Sequence, residues 1–267
     1  MLTYHGNNVH HNSYEGNDHI AFESDLRTID RMGLRILPLA TVVDWHQGLL
    51  ADSEVDDGVA LTMDDGSWLD YHDIEHPTCG VQKGMFRLLA AFRDETPGQA
   101  TVHASSFVIA SPDDRIVLDQ RNLAGLGWWG DDWWADANSS GLMSIECHSW
   151  DHVHPTLDTV AQRENVRGDF RRVESFEDCS AQVDQAAQYI ERAAGARPRF
   201  FAYPWGQASD YLRKNYMPRQ QERHGFRAAF SIEPRRLSRK DDTWFLPRFV
   251  CGEDWKSPED LERILGG

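Results

Sequence analysis

Apolar residues recur at helical spacing in several stretches of the chain. Residues 18–33 show this spacing, with Asn17 or Asp18 as a plausible cap and Gly33 as a plausible end. Residues 175–194 repeat it, begin with the capping-box-like SFED, and end before Gly195. The spacing predicts further helices at residues 40–49, around 85–92, at 209–224 and at 258–265.

Short apolar runs between these helices predict strands. The runs lie at residues 2–4, 34–39, 59–63, 100–110, 142–147, 199–203, 228–232 and 244–250, and residues 111–140 start in a loop-like manner. Strands that alternate with helices favour a parallel sheet, either open or closed into a barrel. In such folds ligands bind beyond the carboxyl ends of the strands.

Composition and charge narrow the range of partners and locations that we expect for this protein. The chain has 267 residues, and its 27 basic and 43 acidic side chains leave a net charge of -16, which disfavours nucleic acid or an anionic membrane surface as partner. We expect no membrane span, because no apolar run approaches the roughly 18–20 residues required. No secretory signal is visible at the start, so we expect a cytoplasmic protein, although a trimmed exported form stays open. The four cysteines lack CxxC spacing and are expected to be reduced.

His148 and His152 are candidate metal ligands because they stand four residues apart. If the chain turns helical after Cys147, their imidazoles lie on one face and can share one divalent ion. The spacing alone is weak evidence, because solvated or core histidines also produce it.

Asp64 and Asp65 follow the apolar run at residues 59–63 directly. One carboxylate could bind a metal while the other takes a proton from an attacking water. Adjacent aspartates before a glycine, here Gly66, are also typical of a solvated turn. The polar clusters at residues 64–65, 148–154 and 203–206 all follow a predicted strand, however, so we expect them at one edge of the sheet.

Three motifs appear in a characteristic order: LTMDDG, HSWDH and FFAYPWG. Together they resemble the polysaccharide deacetylases, also called carbohydrate esterase family four. LTYH near the start, MGLRILPL and the late FLPRF look like the branch that handles poly-N-acetylglucosamine, and the resemblance runs from residue 2 to about residue 250. It implies a distorted parallel (β/α) barrel with about seven strands. We expect residues 1–267 to form one catalytic domain, with a Trp-rich insertion near residues 111–141.

The resemblance also implies roles for individual residues. Asp64 would be the general base, Tyr203 and Trp205 would lie at the substrate and oxyanion position, and the metal ligands would be Asp65, His148 and His152. The implied cofactor is one divalent ion, zinc above all, with cobalt, nickel or manganese also accepted by such a site. The implied reaction is attack of a metal-activated water on an acetamide of a carbohydrate substrate. The oligomeric state stays unknown.

The chain departs from the family at two catalytic positions. Ala202 stands where many members have an arginine that orients the base, and Arg248 is our candidate substitute. The Leu-x-His motif that supplies the general acid is missing from the C-terminal third. His5 is the preferred replacement, with His103 and His154 as alternatives, and each of the three histidines could also be structural.

Several alternatives follow from these departures. The chain could hydrolyse a small non-sugar amide or imide, bind carbohydrate without catalysis, or bind metal without hydrolysis. Asp151 could hold a ligand imidazole or begin a helix. The indoles of WWGDDWW could pack in the core, or one of them could face a sugar; they are Trp128, Trp129, Trp133 and Trp134.

Overall fold

Eleven strands and ten helices form the computed structural model, which describes residues 1–161 and 167–266. The strands are β1 (Leu2–His5), β2 (Arg35–Ile36), β3 (Gly58–Val59), β4 (Leu61–Asp65), β5 (Ile74–His76), β6 (Gly80–Gln82), β7 (Ala104–Val108), β8 (Met143–Cys147), β9 (Phe200–Ala202), β10 (Ala228–Phe230) and β11 (Phe249–Val250). The helices are α1 (Asp18–Arg31), α2 (Leu39–His46), α3 (Met85–Glu95), α4 (Pro112–Asn122), α5 (Trp134–Ser139), α6 (Phe176–Cys179), α7 (Gln185–Ala194), α8 (Met217–Arg219), α9 (Gln221–His224) and α10 (Pro258–Gly266).

Seven parallel strands make up the central sheet, in the order β10-β9-β8-β7-β4-β1-β11. The two edges of this sheet approach each other where Phe230 forms a parallel bridge with Leu246. The Leu246 N–H donates to the Ala229 carbonyl at 2.8 Å. The sheet therefore curls into a distorted parallel barrel, and the predicted fold class is confirmed.

Local sequence signals explain why the main helices begin and end where they do. The Asn17 side chain accepts hydrogen bonds from the N–H groups of His19 (3.0 Å) and Ile20 (3.4 Å), which caps α1 as predicted. Ser175 caps the predicted helix at residues 175–194, which runs through α6, a π-helical turn at Ser180–Asp184, and α7. Gly195 ends it with φ of 71°, a conformation that glycine adopts without steric cost.

Three predicted strands differ from the structure by more than a shift of their ends, unlike the run at residues 100–110, of which Ala104–Val108 form β7. Within the run at residues 34–39 only β2 is a strand, and it pairs with β3 in a separate two-stranded sheet. The run at residues 59–63 splits at Ala60 into β3 and β4, because the chain changes sheets there. The run at residues 244–250 reduces to β11 after Pro247, which has no N–H to continue the ladder from Leu246.

The structure also contains elements that the sequence analysis missed. The loop-like start expected after residue 110 is wrong, because Ser111 caps α4 and Pro112 takes its first position. The strands β5 and β6 form an antiparallel hairpin beside the barrel. Across residues 1–161 and 167–266, no helix combines the length and the apolar character that crossing a bilayer demands.

Candidate metal centre

The chemistry-bearing residues meet at the carboxyl edge of the barrel. Asp64 and Asp65 end β4, and the strand register places Asp64 beside His5 and Asp65 beside Val108. Val108 in turn pairs with Cys147, the last residue of β8 before His148. Parallel pairing thus brings residues that are far apart in sequence to one end of the sheet, as predicted.

The two histidines reach each other without a helix between them. The condition that the chain turns helical after Cys147 is wrong, because Ser149, His152 and Val153 have φ of 69°, 63° and 49°. This irregular loop nevertheless brings the His148 and His152 ring centroids to 4.8 Å, at an interplanar angle of 63°. Both Nε2 atoms lie 3.7 Å from Asp65 Oδ1.

The donor set at this point suits a divalent ion. One ligand atom from each of Asp65, His148 and His152 lies within 4.8 Å of the other two. Ligand atoms on a tetrahedral zinc ion lie about 3.3–3.5 Å apart, given zinc–ligand distances of about 2.0–2.2 Å. A small contraction of the observed spacing would therefore satisfy the ion.

Protonation also favours metal binding by the imidazoles. His148 Nδ1 lies 2.9 Å from the Ala202 carbonyl, to which it donates its proton, so that the lone pair of Nε2 faces Asp65. Burial lowers the pKa of His148 and lowers the pKa of His152 further below its usual range. Both rings are therefore neutral near pH 7, which is the form that ligates metals.

Arg248 forms a bidentate ion pair with Asp64 inside the barrel. Its NH1 and NH2 donate to the two carboxylate oxygens at 2.7 Å each, and its Nε donates to the Ser231 carbonyl at 3.1 Å. The Arg248 and Asp64 side chains are 0% and 4% exposed. Burial alone would raise the pKa of Asp64, but the charge and hydrogen bonds of Arg248, together with the nearby His148 and His5, outweigh burial and hold the pKa below its usual value. Arg248 directly precedes β11, which β1 separates from β4, so it contacts Asp64 across one intervening strand and supplies the cation that Ala202 cannot.

The three candidate histidines for the acid lie in different places. His5 is the last residue of β1, and although burial lowers its pKa, the charges of Asp65 and Asp64 raise it overall. His103 precedes β7, at the end of the sheet opposite to Asp64, so the alternative that it supplies the acid is wrong.

His154 lies on the rim of the site. Its ring centroid is 5.6 Å from that of His152 and 6.3 Å from that of Trp205. Its Nδ1 accepts a hydrogen bond from the Thr156 N–H at 3.2 Å, which leaves Nε2 as the donor.

Tyr203 and Trp205 differ in their relation to the site. The Trp205 ring packs edge-on against His152, with centroids 4.4 Å apart, and its backbone has φ of 52°. The Tyr203 side chain is fully buried, and its hydroxyl donates to the Trp244 carbonyl at 3.0 Å. The Tyr203 ring is therefore part of the core, and its backbone N–H already donates to the Phe230 carbonyl at 3.0 Å.

Asp151 has neither of the roles suggested for it. It accepts hydrogen bonds from the N–H groups of Val153 (2.8 Å) and Ala161 and from the Gln182 amide (2.8 Å). Gln182 in turn accepts from the N–H of Trp150 at 3.2 Å. These bonds hold the loop that carries His152. Gln182 was missed because it lies on a distant helix and no local motif marks it.

Comparison with known proteins gives the same family as the motifs. A family model described as polysaccharide deacetylase matches residues 52–228. No curated protein sequence matches the chain.

Solved structures resemble the whole fold. Streptococcus pyogenes deacetylase PplD in complex with acetate is 16% identical, with a TM-score of 0.65 over 99% of this chain and 96% of that one. IcaB from Ammonifex degensii is 17% identical, with a TM-score of 0.64 over 100% of this chain and 96% of that one. A de-N-acetylase from Aggregatibacter actinomycetemcomitans is 15% identical, with a TM-score of 0.61 over 98% of each chain. At these identities the likeness concerns the fold.

Proposed function

Because this chain belongs to the polysaccharide deacetylase family, we propose that it removes N-acetyl groups from an N-acetylated sugar or glycan in a metal-dependent hydrolysis. The observation that carries this proposal is the convergence of Asp65, His148 and His152 beside the buried Asp64–Arg248 ion pair. Three metal-binding side chains next to a carboxylate that can take a proton from water form an arrangement suited to metal-assisted hydrolysis.

The proposed metal ligands are Asp65 Oδ1 and the Nε2 atoms of His148 and His152. Zinc suits two imidazoles and one carboxylate, and cobalt, nickel and manganese are accepted by the same donors. When bound, the ion supplies a Lewis acid that polarises the amide carbonyl and lowers the pKa of water to about 7.

Asp64 is the proposed general base. Arg248 keeps this carboxylate ionised and fixes its orientation, while each oxygen retains a lone pair beyond the one that Arg248 occupies. Asp64 can therefore accept a proton from the attacking water while its geometry stays unchanged. Arg248 acts through Asp64 and is a positioning residue.

His5 is the proposed acid that protonates the leaving amine nitrogen. The carboxylates of Asp65 and Asp64 raise the pKa of its ring, which favours the protonated form that a proton donor needs. The proposed oxyanion contact is the backbone N–H of Trp205, two residues after Tyr203 in the turn that follows β9. Trp205 itself packs on His152 and closes one side of the site.

Acetate release from N-acetylglucosamine oligomers tests the proposal. We expect release by zinc-loaded protein, loss of release with a chelator, and recovery when zinc is restored. Asp64→Asn should keep zinc but lose about 10²–10⁴-fold in kcat, the usual contribution of a general base. Asp94→Asn is the control, because Asp94 lies on the surface in α3 and pairs only with the exposed Arg93 among the described residues.

Four results would contradict the proposal. Release that survives chelation excludes the metal, and normal turnover by Asp64→Asn excludes that base. Hydrolysis confined to small imides, or glycan binding by zinc-loaded protein without acetate release, would favour the other functions considered from the sequence.

A further inference from the structure

The Trp-rich segment at residues 128–134 is hydrogen-bonded to the turn that carries Asp65. The Trp129 indole Nε1 donates to the Asp65 carbonyl at 3.1 Å. The Trp68 N–H donates to the Trp128 carbonyl at 2.7 Å, and the Trp68 indole donates to Asp132 at 2.7 Å. Three bonds thus join residues 65–68 to residues 128–132, and one of them ends on the candidate metal ligand.

The backbone of Asp65 needs this support. Asp65 has φ of 77°, in the left-handed region, where a residue other than glycine is strained by about 1–3 kcal/mol. Its carbonyl accepts two hydrogen bonds, from the Ile109 N–H at 3.2 Å and from Trp129. The bond from Ile109 is a backbone–backbone bond within the barrel, whereas the bond from Trp129 comes from a side chain. That indole N–H therefore helps to hold the peptide in its strained orientation.

Trp129 is itself held in place by buried charge. The Arg115 NH1 donates to the Trp129 carbonyl at 2.8 Å, and its NH2 pairs with Asp131 at 2.7 Å. The guanidinium lies 4.7 Å from the Trp134 ring, and the Tyr189 hydroxyl donates to Asp131 at 2.6 Å. Because Arg115 is only 2% exposed and Trp129 only 7%, the indole has little freedom to turn away from Asp65.

We propose that Trp129 is a positioning residue for the metal ligand Asp65, an inference that rests on the proposed metal at this site. Without the indole N–H, the Asp65 peptide can relax towards an ordinary φ and carry Oδ1 away from the two Nε2 atoms. Residues that orient metal ligands change metal affinity by about 10–100-fold when they are replaced. We therefore expect Trp129→Phe to weaken zinc binding about 10-fold or more.

Trp133→Phe is the matched control. The Trp133 indole is 1% exposed and donates to the Gly130 carbonyl at 3.1 Å, so this variant loses a bond of the same kind and length that touches no metal ligand. Zinc affinity is measured on metal-free protein against a chromophoric chelator, without substrate, and the d–d absorption spectrum of cobalt-loaded protein reports the ligand geometry. Urea unfolding of the metal-free variants compares their folding stability.

The expected result is weaker zinc binding and an altered cobalt spectrum for Trp129→Phe, with wild-type affinity for Trp133→Phe. The inference is wrong if Trp129→Phe binds zinc with wild-type affinity, or if both variants bind zinc equally more weakly. Neither result contradicts the proposed function. A wild-type protein that binds none of zinc, cobalt, nickel and manganese overturns both the inference and the proposed function. If Trp129→Phe does not fold, 3-benzothienylalanine at position 129 keeps the ring size and replaces only the N–H, and the same zinc titration decides.

Discussion

Replacing Arg248 with methionine should destabilise the fold strongly, because it leaves the Asp64 carboxylate buried without a counter-ion. The two N–O distances are 2.7 Å and the partners are 0% and 4% exposed. Two charges about 4 Å apart attract by about 4 kcal/mol at an effective dielectric constant of 20. Breaking one partner of a buried pair usually costs about 3–5 kcal/mol. We expect Arg248→Met to lower the free energy of unfolding by about 4 kcal/mol.

Urea unfolding at pH 7, with chelator present so that metal binding does not contribute, measures this change. Arg121→Met is the control, because Arg121 and Asp158 also form a bidentate pair, with distances of 3.1 Å, but their side chains are 43% and 81% exposed. An exposed pair contributes only about 0–1 kcal/mol. The double variant Asp64→Asn with Arg248→Met should regain stability relative to Arg248→Met alone, because no buried charge is then left unpaired.

The reasoning about the ion pair is wrong if Arg248→Met costs no more stability than Arg121→Met. It is also wrong if the double variant is less stable than Arg248→Met, since that result would mean that packing, and not the unpaired charge, sets the loss.

Three further predictions concern the site and the fold around it. Gly66→Ala should lower the free energy of unfolding, measured in urea, by about 3 kcal/mol. The alanine Cβ would lie 2.4 Å from Val108 Cγ1, and residue 66 has φ of 72°, which strains any residue other than glycine. Wild-type stability of this variant would refute the close contact. Zinc at about 100 times its Kd should stabilise the protein by about 2.7 kcal/mol and raise Tm by about 5–10 °C. A calorimetric scan measures this rise, and His152→Ala should abolish it. Burial raises the pKa of Asp25 to about 6, so its proton stabilises the folded state fully below pH 4 and is lost as pH rises through 6. Wild-type stability relative to Asp25→Asn should therefore fall by up to about 3 kcal/mol between pH 4 and pH 7, and a difference that does not depend on pH would contradict the assignment.

The elements with strong local signals were predictable. Asn17 caps α1 and Ser175 caps α6 because short polar side chains satisfy free N–H groups within three residues, a rule that needs no tertiary information. The alternation of strands and helices predicted a parallel sheet, and the resemblance carried by the motif order implied the family and the barrel. The strand limits did not, because residues 59–63 carry one apolar pattern yet serve two sheets on either side of Ala60.

The site residues divide in the same way. Asp64, Asp65, His148 and His152 could be proposed because they come after predicted strands within the family-like motifs, and parallel strands place their carboxyl ends together. Their roles stay predictions. Arg248 was identified only as a replacement for the side chain that Ala202 lacks, and its bond to Asp64 spans 184 residues of sequence. No local pattern could show that pairing.

The sequence alone determined which chemical groups the protein holds and indicated which end of the sheet they occupy, because the order of strands and motifs along the chain is a property of the sequence. The tertiary structure decided how those groups face one another. It replaced the expected helical turn between His148 and His152 with a loop held by Asp151, and it brought Trp129 onto the Asp65 carbonyl. Such contacts join residues far apart in sequence, and their energies depend on burial and on angles that only packing sets.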